Sequence, residues 1–311
     1  MDRSTGSTYR WSPGSWWRRH SERVALGSML VPYLLGLALL VVGPALAGFA
    51  LSLTDYNAIQ TPRWAGLANF RRLPGDHIFR IAVFNSLLYI ALAVPIRLAG
   101  AFLLARLLLR PSRSTRLGRV IVYLPTVIPD LAWALIWLWI LNPIYGPLNQ
   151  LLRWFGIAGP AWMVDPTTAR FGIVLMMIWQ LGEGFIVCLA ALQGLDRDLL
   201  DQAAVDGAGR WHTLREIMLP LVAPALLILL VRDTIFSFQA NFVPALIVGK
   251  GGGPDYATMY LPMYIYDVAF VYLRFGYAAA MTVAMYAITG VILFFQYRLT
   301  RRWHEGFGRG A

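Results

Sequence analysis

The sequence predicts an all-α membrane protein with six transmembrane helices. Of its 311 residues, 58% are hydrophobic and only 14% are charged, whereas soluble domains are about half apolar and about a quarter charged. Six apolar runs follow one another along the chain, and each has the roughly 20 residues that a spanning helix needs. The Lys and Arg content of each loop then indicates its side of the membrane.

The first apolar run covers residues 24–53. It is too long for the core of a cleaved signal peptide, which has about 7–15 residues, so it predicts an uncleaved first span after a polar tail of residues 1–23. The other spans are predicted at residues 81–109, 120–141, 171–192, 220–248 and 275–296, within a transmembrane domain of residues 24–298. A basic tail, residues 299–311, ends the chain.

Three longer loops, at residues 55–80, 142–169 and 249–274, carry local signals. The second has room for a short surface helix, and its Asp165-Pro166 is typical of a helix start, because Asp caps the first turn and Pro fits it. The third contains KGGGPDYAT. This run lacks the G-x4-G-K-[ST] order of a phosphate loop, so we do not expect it to bind ATP.

The basic residues sort by side of the membrane and form no single face for nucleic acid. Both tails with the adjoining Arg298, residues 110–119 and the loop of residues 194–219 together hold 16 of the 27 Lys and Arg, while the opposite loops with the adjoining Arg170 hold eight. The positive-inside rule therefore predicts that both termini and residues 194–219 are cytoplasmic. The three remaining basic residues, Arg97, Arg106 and Arg232, fall within predicted spans.

The sequence offers no catalytic or metal-binding pattern. The single cysteine, Cys188, lies in an apolar run, so no disulfide can form within the chain. The four histidines all fall in predicted loops or tails, and neither an H-E-x-x-H motif nor a nucleophile elbow is present. We therefore do not expect a membrane enzyme, and we expect neither a metal nor a cofactor in this chain.

The polar stretch DQAAVDGAGRWHTLREIMLP, residues 201–220, stands between the fourth and fifth spans. It predicts two short helices separated by Gly207-Ala208-Gly209, the second of them closed by Pro220. Glycines permit a sharp turn there with positive φ. Such a helix pair, anchored in the membrane on both sides, presents a folded surface to a soluble partner.

This stretch resembles the EAA loop of ATP-binding-cassette importer permeases, whose pattern is E-A-A-x3-G-x9-I-x-L-P. Gly207, Ile217, Leu219 and Pro220 stand at the pattern spacings, and Ala203 fits the third position, whereas Asp201 and Gln202 depart from it. Five segments, AWMVDPTTAR, GLDRDLLDQAAVDGAG, IMLPLVAPALL, NFVPALIVGKGGGPDYAT and FGYAAAMTVAMY, are similar to the maltose permease branch. The similarity covers most of residues 80–300.

The resemblance implies a permease subunit of an ATP-driven sugar importer in the inner or plasma membrane of a prokaryote. It implies three kinds of protein partner in the bilayer or beside it: a second homologous permease, an ATPase dimer that carries ATP and Mg, and an extracytoplasmic substrate-binding protein. The coupling helix between spans four and five would contact the ATPase. The residues implied for that contact are Asp201, Ala203, Ala204, Asp206, Gly207, Ala208, Trp211 and Leu214; Asp206 is equally expected to cap the local backbone.

Polar residues inside the predicted spans favour functional or paired roles, because ionisable groups are costly at membrane depth. Helical spacing predicts three shared faces in successive spans. Their members are Thr126 with Asp130, then Met177, Gln180 and Glu183, and then Thr234, Phe238 and Asn241. The resemblance implies that these faces fall at or beside positions that line the sugar site of the maltose permease. The expected substrate-pathway residues are Thr126, Asp130, Met177, Gln180, Leu181, Glu183, Thr234, Phe238 and Asn241.

Simpler interpretations of these residues stay open. Asp130 or Glu183 could neutralise Arg97 or Arg232 between packed helices, since buried charges in lipid pair with one another. The neighbours Arg232 and Asp233 point in different directions on a helix, so each is expected to have a partner elsewhere. Gln180 and Asn241 could serve as interhelical hydrogen bonds, and Phe238 could simply pack.

Two other functions also stay open at this point. The chain could serve the same kind of importer for another solute, such as glycerol phosphate or a polyol, although the carboxylates among the candidates argue against an anion. It could instead be a stand-alone secondary transporter or channel, which would transport without any ATPase subunit.

Overall fold

The computed structural model describes residues 27–239 and 242–307, and these residues are almost entirely helical. This confirms the all-α class. In chain order the helices are α1 (Gly27–Ser52), α2 (Ala68–Arg72), α3 (His77–Leu107), α4 (Arg113–Val127), α5 (Asp130–Ile140), α6 (Pro147–Trp154), α7 (Pro166–Ile178), α8 (Gly182–Gln193), α9 (Arg197–Val205), α10 (Arg210–Phe238), α11 (Phe242–Val248), α12 (Leu261–Val271) and α13 (Phe275–Phe307).

The chain divides into two compact units, residues 1–51 and residues 52–311. The described part of the first unit is helical and contains a π-helical turn at Ala38–Val42. The second unit holds the remaining helices and one small antiparallel hairpin, in which β1 (Thr54–Asp55) pairs with β2 (Arg63–Trp64). Buried Asn69 donates to the carbonyls of Ser52 and Thr54, which fixes this hairpin against α2.

Four described helices, α1, α3, α10 and α13, are long and apolar enough to cross a membrane. Two bent pairs, α4 with α5 and α7 with α8, raise the number to six if each pair is one span. Six spans therefore fit the described residues, although two of them are not continuous helices. The side of the membrane on which the termini lie stays a prediction.

The third span is not the straight helix that the apolar run suggested. The chain bends by 103° between the two halves of this span, α4 and α5. Pro129 lacks the N–H that an uninterrupted helix needs, and Ile128 before it is extended, with φ −74° and ψ 126°. The expectation that Thr126 and Asp130 share one helix face is therefore wrong, because the break lies between them.

The fourth span is broken as well, with a bend of 44° between α7 and α8. The helix stops at Ile178 and resumes at Gly182, so Met177, Gln180 and Glu183 do not share one helix face as expected. Gly182 lies against α4, where an added Cβ would clash with Oγ1 of Thr126 and come within 3.0 Å of Cα of Tyr123. The close approach of the two broken spans therefore requires a residue without a side chain.

Helix α10 passes through Pro220, so the expected end of the helix at that residue is wrong. Residues Thr213–Met218, which end two positions before the proline, form a π-helical turn. A π turn shifts the hydrogen-bond partners along the backbone. The helix can then continue although Pro220 has no N–H to donate.

The loop of residues 249–274 is more ordered than expected, because it contains α12 and is tied to α3. Buried Asn85 donates to the carbonyls of Tyr256 and Met259 at 2.8 and 3.0 Å. The adjacent Ser86 hydroxyl accepts from the N–H of Leu261 at 3.0 Å. Buried polar groups need such partners, and here they hold the loop in one place. The two expected local features, a surface helix (α6) and the Asp165 cap of α7, are both confirmed.

Buried apolar side chains form two clusters in the second unit. The larger packs α3, α5, α7 and α11 against α12 and α13. The smaller, which we call the coupling cluster, joins α3, α8 and α10. Its members are Ala101, Phe102, Ala105, Phe185, Cys188, Leu189, Leu192, Leu214, Met218, Val222 and Leu229.

Candidate functional site

A cavity of about 290 Å³ lies where the third and fourth spans are broken. Helices α3 and α10 complete its wall. Six of the nine residues that the sequence assigned to a substrate pathway line it: Thr126, Asp130, Met177, Gln180, Leu181 and Glu183. The breaks in the helices, not shared helix faces, bring these side chains together.

The other three predicted pathway residues are placed differently. Thr234 is fully buried, donates to the carbonyl of Leu230 and lies 2.8 Å from Nε2 of Gln296, so it joins α10 to α13. Phe238 packs in the larger core cluster. Neither lines the cavity, and Asn241 lies outside the described residues.

Both arginines of the cavity wall are paired with carboxylates of the chain. Nη2 of Arg97 lies 3.1 Å from Oδ2 of Asp233 and donates to Oγ of Ser237 at 3.2 Å. Arg232 pairs with Glu183, and its Nη1 is 3.9 Å from Oδ1 of Asp233. Three elements, α3, α8 and α10, are therefore joined through a line of alternating charges.

This arrangement selects among the alternatives that the sequence left open. Glu183 does pair with Arg232, as the simpler interpretation held, and Arg232 and Asp233 do have partners on other helices. The partner of Arg97 is Asp233, which the sequence did not identify, because 136 positions separate the two and no local spacing relates them. Arg232 also lies over the ring of Phe236, 4.9 Å from its centroid.

Some polar groups on the cavity wall have no partner among the described residues. Asp130 is exposed and forms no ion pair among the described residues. Oγ1 of Thr126 is buried and likewise has no hydrogen-bond partner in the described chain, while Gln180 is partly exposed. A carboxylate, a hydroxyl and an amide offer both acceptors and donors, which suits a ligand with several hydroxyl groups.

The loop of residues 194–219 forms the predicted helix, turn and helix. Helix α9 ends in a turn at Gly207, which has φ +78°, and the N–H of Ala208 donates to the carbonyl of Ala203 at 2.9 Å. Asp206 closes α9 through its backbone N–H, which donates to the carbonyl of Gln202. Gly209 has φ −67°, so only Gly207 of the two glycines has a positive φ.

The eight loop residues expected to contact an ATPase differ in burial. Ala203 and Leu214 are buried, and Leu214 belongs to the coupling cluster. Ala208 is half-buried. The remaining five are exposed: Asp201, Ala204, Asp206, Gly207 and Trp211. The loop thus has an inner face packed on the spans and an outer face open to a partner.

A family model described as "Binding-protein-dependent transport system inner membrane component" matches residues 97–305. The chain is 33% identical to the probable ABC transporter permease protein YesP of Bacillus subtilis, over 91% of this chain and 92% of that protein. It is 30% identical to the sulfoquinovosyl glycerol transport system permease protein SmoG of Agrobacterium fabrum, over 92% and 93%.

A solved structure has the same fold. It is a bacterial alginate ABC transporter in complex with an alginate pentasaccharide-bound periplasmic protein. One of its chains superimposes with a TM-score of 0.77 at 24% identity, and the match covers 93% of this chain and 98% of that one.

Proposed function

The chain belongs to the family of binding-protein-dependent transport system inner membrane components, and from this premise we propose that it is the permease subunit of an ATP-driven importer of sugars. In this proposal it forms half of the translocation pathway beside a second, homologous permease. An ATPase dimer with its ATP and Mg acts from the cytoplasm, and a substrate-binding protein delivers the sugar from outside. The chain itself performs transport and not a chemical reaction.

The observation that carries the proposal is the cavity at the broken spans. Discontinuous helices at membrane depth are tolerated where they line a cavity, and transporters place their binding sites at such breaks. The unpaired carboxylate of Asp130 and the amide of Gln180 can bond paired sugar hydroxyls. This supports a role for the cavity in the passage of a hydroxyl-rich solute.

The coupling cluster supplies a physical route from the loop to the cavity. Leu214 and Met218 pack in this cluster with Ala101, which also lines the cavity. Tightly packed interiors transmit displacement, because they compress little. Movement of the loop by an ATPase would therefore move α3 and α8, the helices that carry Arg97 and Glu183.

A phosphorylated substrate such as glycerol phosphate fits this cavity less well. Both guanidinium groups are already opposed by carboxylates, and Asp130 is left as an additional negative charge. A like charge disfavours an anion. We therefore propose an uncharged sugar in preference to an anionic solute.

The experiment that tests the proposal uses the assembled importer in proteoliposomes. Gly207→Pro removes the turn with φ +78°, because proline holds φ near −65°. We expect normal membrane insertion and loss of the ATP hydrolysis that the sugar-loaded binding protein stimulates. The matched control is Gly209→Ala, whose φ is negative and whose Cβ would meet nothing within 4 Å. Normal stimulation with Gly207→Pro would contradict the coupling role.

A further inference from the structure

A second, larger cavity of about 1030 Å³ lies between the loop of residues 194–219, which we call the coupling loop, and the ends of three span helices. We call it the arginine groove. Its basic residues are Arg106, Arg110, Arg119 and Arg210, its leucines are Leu109, Leu192, Leu195 and Leu200, and its carboxylate is Asp201. The groove therefore combines an excess of positive charge with an apolar lining.

None of the four guanidinium groups forms an ion pair within the described residues. Two are held in place by carbonyl groups. Arg119 donates from Nε and Nη2 to the carbonyl of Leu108 at 3.1 and 2.8 Å, and Nη2 of Arg106 lies 3.4 Å from the carbonyl of Arg210. The carbonyls at the end of α3 carry only partial negative charge, and Asp201 is the one carboxylate in the lining, so the four arginines leave the groove with a net positive charge.

The groove lies where span helices end. Helix α3 stops at Leu107, α4 begins at Arg113, and α8 stops at Gln193. The distribution of Lys and Arg predicts that these ends face the cytoplasm. A basic pocket between spans at that level is suited to the headgroup of an anionic lipid.

We propose that the arginine groove binds the phosphate headgroup of an anionic phospholipid. Guanidinium groups match phosphate oxygens in a two-point geometry, and the leucines accept the first carbons of the acyl chains. Three of the four arginines come from the span ends and one, Arg210, from the start of α10 directly after the coupling turn. The bound lipid thereby braces the coupling loop against the spans.

The site favours a lipid over an acidic protein surface because of the elements that build it. Leu192 and Leu195 flank the end of α8, and Leu109 follows the end of α3, so the apolar lining continues the spans. Asp201, Ala204 and Ala208 of the loop line the groove, whereas Asp206, Gly207 and Trp211 do not. Trp211 is 71% exposed, so this other side of the loop stays available to a protein.

The test compares the assembled importer in vesicles of phosphatidylcholine alone and with increasing phosphatidylglycerol. The variant Arg110→Gln/Arg210→Gln removes two groove charges whose side chains make no hydrogen bond among the described residues. The matched control, Arg113→Gln/Arg116→Gln, removes two exposed arginines of the same cytoplasmic region that do not line the groove. Lipid retained through purification is measured by mass spectrometry, together with stimulated ATP hydrolysis.

We expect phosphatidylglycerol to raise hydrolysis in the unaltered and control importers. The groove variant should retain about 10- to 30-fold less phosphatidylglycerol, because each arginine near an anionic surface contributes about fivefold. Equal retention in groove and control variants would overturn the proposal. Inorganic phosphate that raises ATP hydrolysis in phosphatidylcholine vesicles as much as phosphatidylglycerol does would also overturn it. The groove would then be a site for a free anion. Loss of the ATPase from the groove variant in detergent would overturn it too, and would assign the groove to protein contact instead.

Discussion

At the scale of single residues, two ion pairs limit which cavity side chains are available to a substrate. They join Arg232 to Glu183 and Arg97 to Asp233. Ionisable side chains at membrane depth are rare because each unpaired one costs about 2.5–3.5 kcal/mol. Both arginines are therefore more suited to holding α3, α8 and α10 together than to binding a substrate. Asp130 is left to face the cavity.

Reversing one charge of the Glu183–Arg232 pair tests this division of roles. Glu183→Arg alone and Arg232→Glu alone each oppose two like charges, and we expect either to reduce sugar uptake by about tenfold or more. The double variant restores opposite charges, so uptake should recover in part. A measurement of initial uptake rates in proteoliposomes decides this. A double variant as inactive as both singles would assign these side chains to direct substrate contact.

In contrast to the paired residues, we expect Asp130 to bind the substrate directly, because it makes no ion pair among the described residues. Asp130→Ala should weaken the apparent affinity for sugar by about 10- to 100-fold, since a hydrogen bond to a charged group is worth about 1.5–3 kcal/mol. Copurification of the ATPase should be unaffected. The control is Leu131→Ala, its exposed neighbour, which does not line the cavity. Unchanged uptake with Asp130→Ala would contradict the assignment.

At the scale of the helices, the sequence predicted where apolar segments lie better than how they bend. Pro125 and Pro129 mark a weak point in the third span, but they do not specify the 103° angle between α4 and α5. At the second break, Gly182 and Gly184 follow Leu181, but glycines inside a helical pattern do not by themselves predict a break. Its cause is the contact between Gly182 and α4, and contacts between distant segments cannot be read from local spacing.

The same limit explains which candidate residues reached the cavity. Residues beside a break, such as Thr126 and Gln180, do line it. Thr234 and Phe238 lie in an unbroken helix and are held in packed surroundings. The continuation of α10 through Pro220 was also missed, because a π turn leaves no simple sequence signal.

Gly182 provides a direct test of the packing between the broken spans. Gly182→Ala would place a Cβ against Oγ1 of Thr126 and backbone atoms of α4, with Cα of Tyr123 at 3.0 Å. Overpacking of this kind costs about 1–3 kcal/mol, so the thermal midpoint of the purified complex should fall and uptake should decrease. In Gly290→Ala of α13, the added Cβ meets nothing within 4 Å, and we expect no loss. Equal midpoints for the two variants would contradict the tight contact.

At the scale of the whole molecule, the coupling loop and the cavity lie at the two ends of one packed cluster. Leu214 contributes to the cluster from the loop side, and Ala101 contributes from the cavity wall. The sequence could predict the loop, because its glycine turn and polar run are local. It could not predict the cluster, which combines residues more than 100 positions apart. Transmission of movement through the cluster requires that the loop face the cytoplasm, where ATP is hydrolysed.

That orientation is testable with the single native cysteine as an internal control. Cys188 is fully buried, so a membrane-impermeant maleimide should leave the unaltered protein unlabelled in intact cells. Gln60→Cys and Ser114→Cys each add one exposed thiol, in the loop of residues 55–80 and at the start of α4 respectively. The excess of Lys and Arg around residues 110–119 predicts that only Gln60→Cys is labelled from outside, and that Ser114→Cys reacts after the membrane is opened.

Labelling of Ser114→Cys in intact cells would place the loop of residues 194–219 outside as well, because the third and fourth spans return the chain to the same side. An ATPase in the cytoplasm could not then reach Gly207, and the coupling role proposed for this loop would fail.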